Sequence, residues 1–300
     1  MKTIKYLLLF VLLLSACAPT LGIGSTMISP KDGMVMVYVP AGNFIMGATA
    51  EDALAECQKY RSDCQLNSFI NEQPPHQVYL DSFWIDRTDI TNKMYALCVN
   101  VGVCKSPTNT SSYTRSSYYG NSTHDNYPVV YVDWNMAKAY CEWVGRELPT
   151  EAQWEKAARG TDGRVYPWGN SIDCSLSNYW GKSNGCVGDT TEVGKYPNGA
   201  SPYGALDMAG NVWQWVADWY DPNYYNNSPL SNPLGPASGT FRVLRGSSWN
   251  NDSNTYARSA GRGWMWPAAP SYNYGFRCAI SAGQIAPPPA LPKYDNINFE

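Results

Sequence analysis

Eight cysteines spread through the body of this chain, Cys57, Cys64, Cys98, Cys104, Cys141, Cys174, Cys186 and Cys278, limit its possible folds more than any other feature. An even number of thiols with no CxxC pair reads as a disulfide framework, which needs an oxidising compartment. Only two histidines, His76 and His124, are available as zinc or iron partners, and neither belongs to a ligand motif. Three close pairs stand out: Cys57 with Cys64, Cys98 with Cys104, and Cys174 with Cys186 across a Ser/Asn/Gly loop. Cys141 and Cys278 are then left to close a long loop. Spacing alone does not fix connectivity, since eight cysteines allow about 105 pairings.

A ninth cysteine, Cys17, says where such a framework would form. Lys2 and Lys5 precede an apolar run from Tyr6 to Leu14, and Leu14-Ser15-Ala16-Cys17 follows. A basic flank, a short apolar segment and small residues describe a secretory signal. The run is too short to cross a bilayer, which takes about 20 apolar residues. The Cys after Leu-Ser-Ala resembles a bacterial lipobox, so residues 1–16 read as a cleaved signal peptide and Cys17 as the acylated (diacylglycerol and palmitate) first residue. Residues 17–32 read as a lipidated Pro/Ser/Gly tether, 33–281 as a single domain, and 282–300, with Ala286-Pro287-Pro288-Pro289-Ala290-Leu291-Pro292, as a Pro-rich extended tail. Ala18 follows the Cys, where Asp would signal inner-membrane retention. The expectation is an extracellular protein held by lipid on the outer face of a bacterial envelope.

The formal net charge is −3, and −5 once the two signal lysines are gone. That excludes a general nucleic-acid binder, which carries a basic excess. Tyr, Trp, Gly and Pro number 22, 12, 25 and 21, so the chain reads as rich in aromatics and loops. Met34–Pro40 alternates and reads as a strand, as does Gln77–Asp86. Helices are expected over Asn92–Val99 behind a Thr91 cap, over Met136–Val144 behind Asp133 or Asn135, and from Thr150 to Gly160. In the last, Gln153 completes a capping box and Gly160 is a stop. Residues 161–281 read as short strands and turns without an internal repeat.

Eight segments in order resemble the sulfatase-modifying-factor, or formylglycine-generating enzyme, family over roughly residues 34–281. They begin with Val39-Pro-Ala-Gly-Asn-Phe-Ile-Met-Gly47, Asp89-Ile-Thr-Asn92 and Pro128-Val-Val-Tyr-Val-Asp-Trp134. Glu147-Leu-Pro-Thr-Glu-Ala-Gln-Trp-Glu155, Tyr166-Pro-Trp-Gly-Asn170 and Asp207-Met-Ala-Gly-Asn-Val-Trp-Gln-Trp215 follow. Leu244-Arg-Gly-Ser-Ser-Trp249 and Gly275-Phe-Arg-Cys278 complete the series. The resemblance implies one α+β domain of the C-type-lectin-like group with little regular secondary structure. It also implies a bridge between Cys141 and Cys278. A second family bridge falls on Ala158 and Ser259, where both cysteines are missing together.

Family members oxidise a substrate cysteine to formylglycine with copper(I) held by two thiolates, soft ligands for a soft cation. The resemblance puts that pair within Asn250, Asn251 and Asn254, and no Cys lies between Cys186 and Cys278. No catalytic residue is therefore assigned and copper is not expected; Ser248 matches the serine beside the family's metal. The resemblance further implies structural calcium at Asp207, Gly210, Val212 and Gln214, and a second site starting at Asn178 and Tyr179 with Asp189. Gln214 stands where the family prefers Glu, so a charge is lost.

Three functions compete. The first is a binding module whose loop face, residues 249–275, interleaves aromatics with Ser, Gly and Asn, as recognition loops do. Ser248, Trp249, Tyr256, Trp264, Trp266 and Tyr272 are its candidate contacts, toward an unknown extracellular protein or small molecule. This stretch also resembles the variable region of retroelement-diversified lectin-like proteins. The second is the family's thiol oxidase, or sulfatase maturation. The third is a nonheme-iron relative acting on sulfur or amines, which two dispersed histidines disfavour.

Overall fold

In the computed structural model, residues 21–180, 185–250 and 255–284 are described. The signal peptide, Cys17, Asn251, Asn254 and the Pro-rich stretch lie outside those residues. Strand β1 (Thr26–Ile28) pairs with β2 (Val35–Val39). Then β3 (Gly42–Met46) and β4 (His76–Leu80) form a two-stranded ladder, with helix α1 (Ala50–Gln58) in the connection. β5 (Phe83–Asp86) returns to the first sheet, whose order is β1-β2-β5-β10 with β10 at Ala279–Ser281. Helices α2 (Asn92–Asn100), α3 (Trp134–Trp143) and α4 (Glu151–Arg159) follow. The last sheet has the order β8-β7-β6-β9, built from β6 (Trp213–Trp219), β7 (Arg242–Arg245), β8 (Arg262–Met265) and β9 (Tyr274–Phe276). Only β6 with β9 is parallel among the pairs of that sheet.

Period-two alternation explains the two cores. On the first sheet Met36 and Trp84 face α2 and α3, while Val37, Val39, Phe83 and Ile85 face α4. Each helix starts at a side-chain cap: Thr49, Thr91, Asp133 and Thr150, the last in a full capping box with Gln153. Four disulfides are formed, Cys57–Cys64, Cys98–Cys104, Cys174–Cys186 and Cys141–Cys278, the last spanning 137 residues between α3 and the turn before β10.

Three expectations are corrected. Gln77–Asp86 is not one strand: it breaks at Asp81-Ser82, and its halves join different sheets. The third helix starts at Trp134 because Asp133 is the cap. Residues 17–32 are not all tether, since β1 adds an edge to the first sheet. Asp32 is buried, accepts from Tyr140 Oη at 2.9 Å and forms an ion pair with Arg146, which also pairs with Asp86. The domain therefore begins near residue 25, and burial of that pair ties its entry segment to α3.

Candidate functional site

The site is built on the charged face that α4 turns inward. Glu151, Glu155 and Arg159 are spaced by four residues, so they share one side of the helix. Arg245, at the end of β7, reaches Glu155 Oε2 at 2.7 Å and Glu151 Oε1 at 3.2 Å, and donates to the carbonyls of Ser259 and Ala260. Arg262 on β8 forks onto Glu151 at 2.7 and 3.0 Å. The network clamps both ends of the loop that carries residues 246–261. Asp218 joins it by accepting from the Glu151 N–H at 2.7 Å. Burial, with Glu151 nearby, pushes the Asp218 carboxyl up to about 7. Such a group binds its proton more tightly when folded, so its stabilising contribution is present below about pH 4 and is lost as pH rises to about 7. Asp218→Asn is expected to flatten that decline and to raise the melting temperature at pH 8 by several degrees. Melts of both proteins from pH 4 to 8 check this.

After β7 the chain turns through Gly246 and Ser247, with φ of 86° and 63°. A Cβ on Gly246 would stand 3.0 Å from the Trp154 ring and 3.1 Å from Met208 O, so no other residue suits the turn. Ser248 follows, fully buried, and its Oγ donates to Asn250 Oδ1 at 2.9 Å. Asn250 Nδ2 donates to Tyr272 Oη at 2.7 Å, and Asn273 Nδ2 donates to Asn250 Oδ1 at 2.8 Å. Asn250, the described residue of the three among which the resemblance puts the family's thiolate pair, is thus held in a closed network of amides and hydroxyls. Neighbouring Trp249 is not part of an exposed face. It is 2% exposed and packs against Tyr113 and Tyr272 with ring centres 5.0 and 5.8 Å away. Ser248 and Trp249 are corrected from contact surface to core, because the Gly246 turn directs both inward.

The remaining candidates divide between two places. Tyr272 belongs to the Trp249 cluster. Tyr256 and Trp264 line a groove along the edge strand β8, and Trp266 lies outside that lining, against the ring of Phe241. Trp264, on β8, and Trp266, just past its end, are 45% and 54% exposed. Trp264 stacks on Tyr220 at 4.5 Å and Trp266 leans on Phe241 at 4.5 Å. The groove has a volume of about 810 Å³ and is walled by Tyr220, Phe241, Tyr256 and Trp264, with Asn71 and Thr240 among its polar lining. Tyr220, Phe241 and Tyr113 were missed by reading the sequence, since nothing local marks which distant aromatic will stack on an exposed one.

The calcium sets fare differently from the expectation. Gln214 Oε1 accepts from Trp154 Nε1 at 2.7 Å and Arg277 Nε at 2.8 Å, while its Nε2 donates to Asp207 O. With a guanidinium on its oxygen, Gln214 is turned to Arg277 and Trp154 and does not present that oxygen to a cation. In the second set, burial opposes the Asp189 charge. Hydrogen bonds from Ser112 and Thr114 nevertheless hold its carboxyl below the usual range, and Arg115 pairs with it at 2.9 Å. The Tyr179 carbonyl accepts from Cys186 N. Among the described residues Asn178 Oδ1 is the one side-chain oxygen of this set that is buried without a hydrogen-bond partner.

A mixed domain of short sheets, with a buried Arg–Glu clamp under a Gly-Ser-Ser-Trp turn, defines the class. The chain belongs to the family of the sulfatase-modifying factor enzyme 1-like domain, whose model matches residues 25–282. It is 33% identical over 311 residues to a formylglycine-generating enzyme of Streptomyces coelicolor, covering 84% of this chain and 91% of that protein. It is 34% identical over 260 residues to the serine/threonine-protein kinase pkn1 of Chlamydia caviae, covering 81% of this chain and spanning 37% of the kinase's length. The structure of PvdO from Pseudomonas aeruginosa superposes with a TM-score of 0.68 at 26% identity, covering 87% of this chain and 99% of PvdO.

Proposed function

We propose that this is a lipid-anchored envelope protein in which the family scaffold serves ligand binding and the copper chemistry is lost. The observation that carries the reading is the fate of the family's metal corner. The resemblance puts its thiolate pair within Asn250, Asn251 and Asn254, where no Cys stands, and Asn250 is locked to Ser248, Tyr272 and Asn273. All eight cysteines of the body are in disulfides. Along β8, Trp264 lines a large aromatic groove and Trp266 stands exposed against Phe241 of its wall, and exposed tryptophans at a concavity are the usual anchors of an interface. With acylated Cys17 as residue one, the eight residues 18–25 would keep the domain within about 28 Å of the bilayer. The binding partner in this reading is an extracellular protein or small molecule.

A second reading, thiol oxidation of a sulfatase-type substrate, draws on the identity to the Streptomyces enzyme over most of both chains. It requires a soft ligand pair that the sequence does not supply.

The groove is tested with the double variant Trp264→Ala/Trp266→Ala and with Trp249→Ala. Crosslinking capture from an envelope extract should yield a discrete partner with the wild-type protein and lose it with the double variant, whose melting temperature stays nearly unchanged. Trp249→Ala should instead cost about 3–5 kcal/mol of stability, as a buried ring does. A double variant that melts far lower, or that captures as well as wild type, would overturn the binding reading.

A further inference from the structure

We propose that the Trp264 groove binds a neutral oligosaccharide, held by stacking on the indole and by hydrogen bonds from the amides and hydroxyls around it. The proposal rests on the binding reading above and names the chemistry of its ligand.

The first observation is a fixed platform. Trp264 lies on the edge strand of its sheet and stacks on Tyr220, with ring centres 4.5 Å apart and planes 16° from parallel. Tyr220 is itself held twice. Its Oη accepts from Asn71 Nδ2 at 3.0 Å, and the Arg262 guanidinium lies 5.1 Å from its ring centre. Arg262 is forked onto Glu151 and also donates to Asn71 O at 2.7 Å. A line of contacts therefore runs from the buried clamp on α4 through Arg262 and Tyr220 to the indole. Trp264 is 45% exposed although one of its faces lies on Tyr220. A ring held in place before binding spares its ligand the entropy of ordering it.

The second observation is the lining, which decides what can lie on that ring. The volume of about 810 Å³ is that of a small-molecule site. Its polar side chains are Asn67, Ser68, Asn71, Ser238, Thr240 and Asp221. All but Asp221 are amides or hydroxyls, groups that both donate and accept. Asn67 and Ser68 come from one loop and Ser238 and Thr240 from another, and all four are exposed. A pyranose ring has the matching pair of surfaces, an apolar C–H face for the indole and a rim of hydroxyls that donate and accept.

The same lining argues against charged ligands. Among the described residues Asp221 is the one charged group of the groove, so an anion meets repulsion and no cation. A quaternary ammonium is recognised by a cage of ring faces, whereas Trp264 and Tyr220 lie nearly parallel and offer one flat surface.

The probe is an array of immobilised neutral glycans, with sulfated glycans and a phosphocholine conjugate as comparisons, screened with the full-length protein. Calorimetry with the soluble form of the strongest hit follows. Neutral glycans should retain the protein, and the charged probes should not. Trp264→Ala should lower the affinity by roughly 10-fold, the size of one lost stacking contact, with the melt unchanged. Trp264→Phe, which keeps a flat ring, should lie between the two. If Trp264→Ala lowers the melt, Ser238→Ala/Thr240→Ala serves in its place and should cost roughly 5-fold. No retention by any neutral glycan, a preference for the sulfated or phosphocholine probes, or neutral-glycan binding unchanged in these variants would overturn the assignment. The binding reading itself would survive those results, because it fails only if capture by the intact protein ignores Trp264 and Trp266.

Discussion

Arg245→Met is expected to destabilise the domain by about 3–5 kcal/mol, among the largest effects of any single substitution here. The guanidinium is fully buried and holds Glu151, Glu155 and two carbonyls of the loop that returns to β8. Removing it leaves two carboxylates facing each other on α4, with only Arg262 and Arg159 to compensate. A buried pair contributes modest net stability when intact but is costly to break from one side, because the orphaned charge has no water. Adding Glu155→Gln to Arg245→Met should therefore recover part of the loss. Urea unfolding of the single and double variants gives the comparison. Additive losses would mean that Glu155 is held by Arg159 and the Gly47 N–H independently of Arg245.

The second large effect is expected from Cys141→Ser/Cys278→Ser. The bridge joins residues 137 apart. In the chain-entropy account a loop of that size is worth about 5 kcal/mol, less any strain. Both sulfurs are fully buried in the aromatic core around Tyr95, Tyr140 and Phe276, so two hydroxyls without partners would add to the loss. Replacing the half-buried Cys64 and its buried mate Cys57 by Ser should cost less, since that loop spans only 7 residues. Peptide mapping without reductant and denaturant melts of the two double variants test the order.

How much of this was legible in the sequence depends on the range of the interaction. Helix starts at Thr91, Asp133 and Thr150 were readable because a cap acts over three residues. Helix α1 was missed although Thr49 accepts from Asp52 N at its start. The strand break at Asp81-Ser82 was hidden because residues on both sides favour extended chain, and only the partner strands decide which sheet each half joins. The Arg245 clamp was invisible for a different reason. Its members are 90 to 111 residues apart, and charged residues on a helix usually face water. The spacing of Glu151, Glu155 and Arg159 was a signal that could have been used, since it puts three charges on the side opposite Gln153.

The candidate face shows the same limit. Trp249 and Trp264 each have a Gly within three residues before them, and that does not distinguish them. Trp249 follows a left-handed turn that directs it into the core. Trp264 stands on an edge strand whose partner ring, Tyr220, covers one side and leaves the other open. Burial was decided by backbone direction, which local sequence expresses only weakly. That no Cys lies between Cys186 and Cys278 is legible without any structure.

The central claim, that the scaffold is kept while the family's copper oxidation is lost, is tested most directly by turnover of a sulfatase-type cysteine peptide. The full-length protein, disulfides intact, is incubated with the peptide, copper(I) and oxygen, and formylglycine is measured by mass spectrometry of the peptide. The predicted result is conversion no faster than in a parallel reaction with copper and no protein. Conversion clearly above that background, lost when Asn250 or Ser248 is replaced, would contradict the account and return the chain to the oxidases.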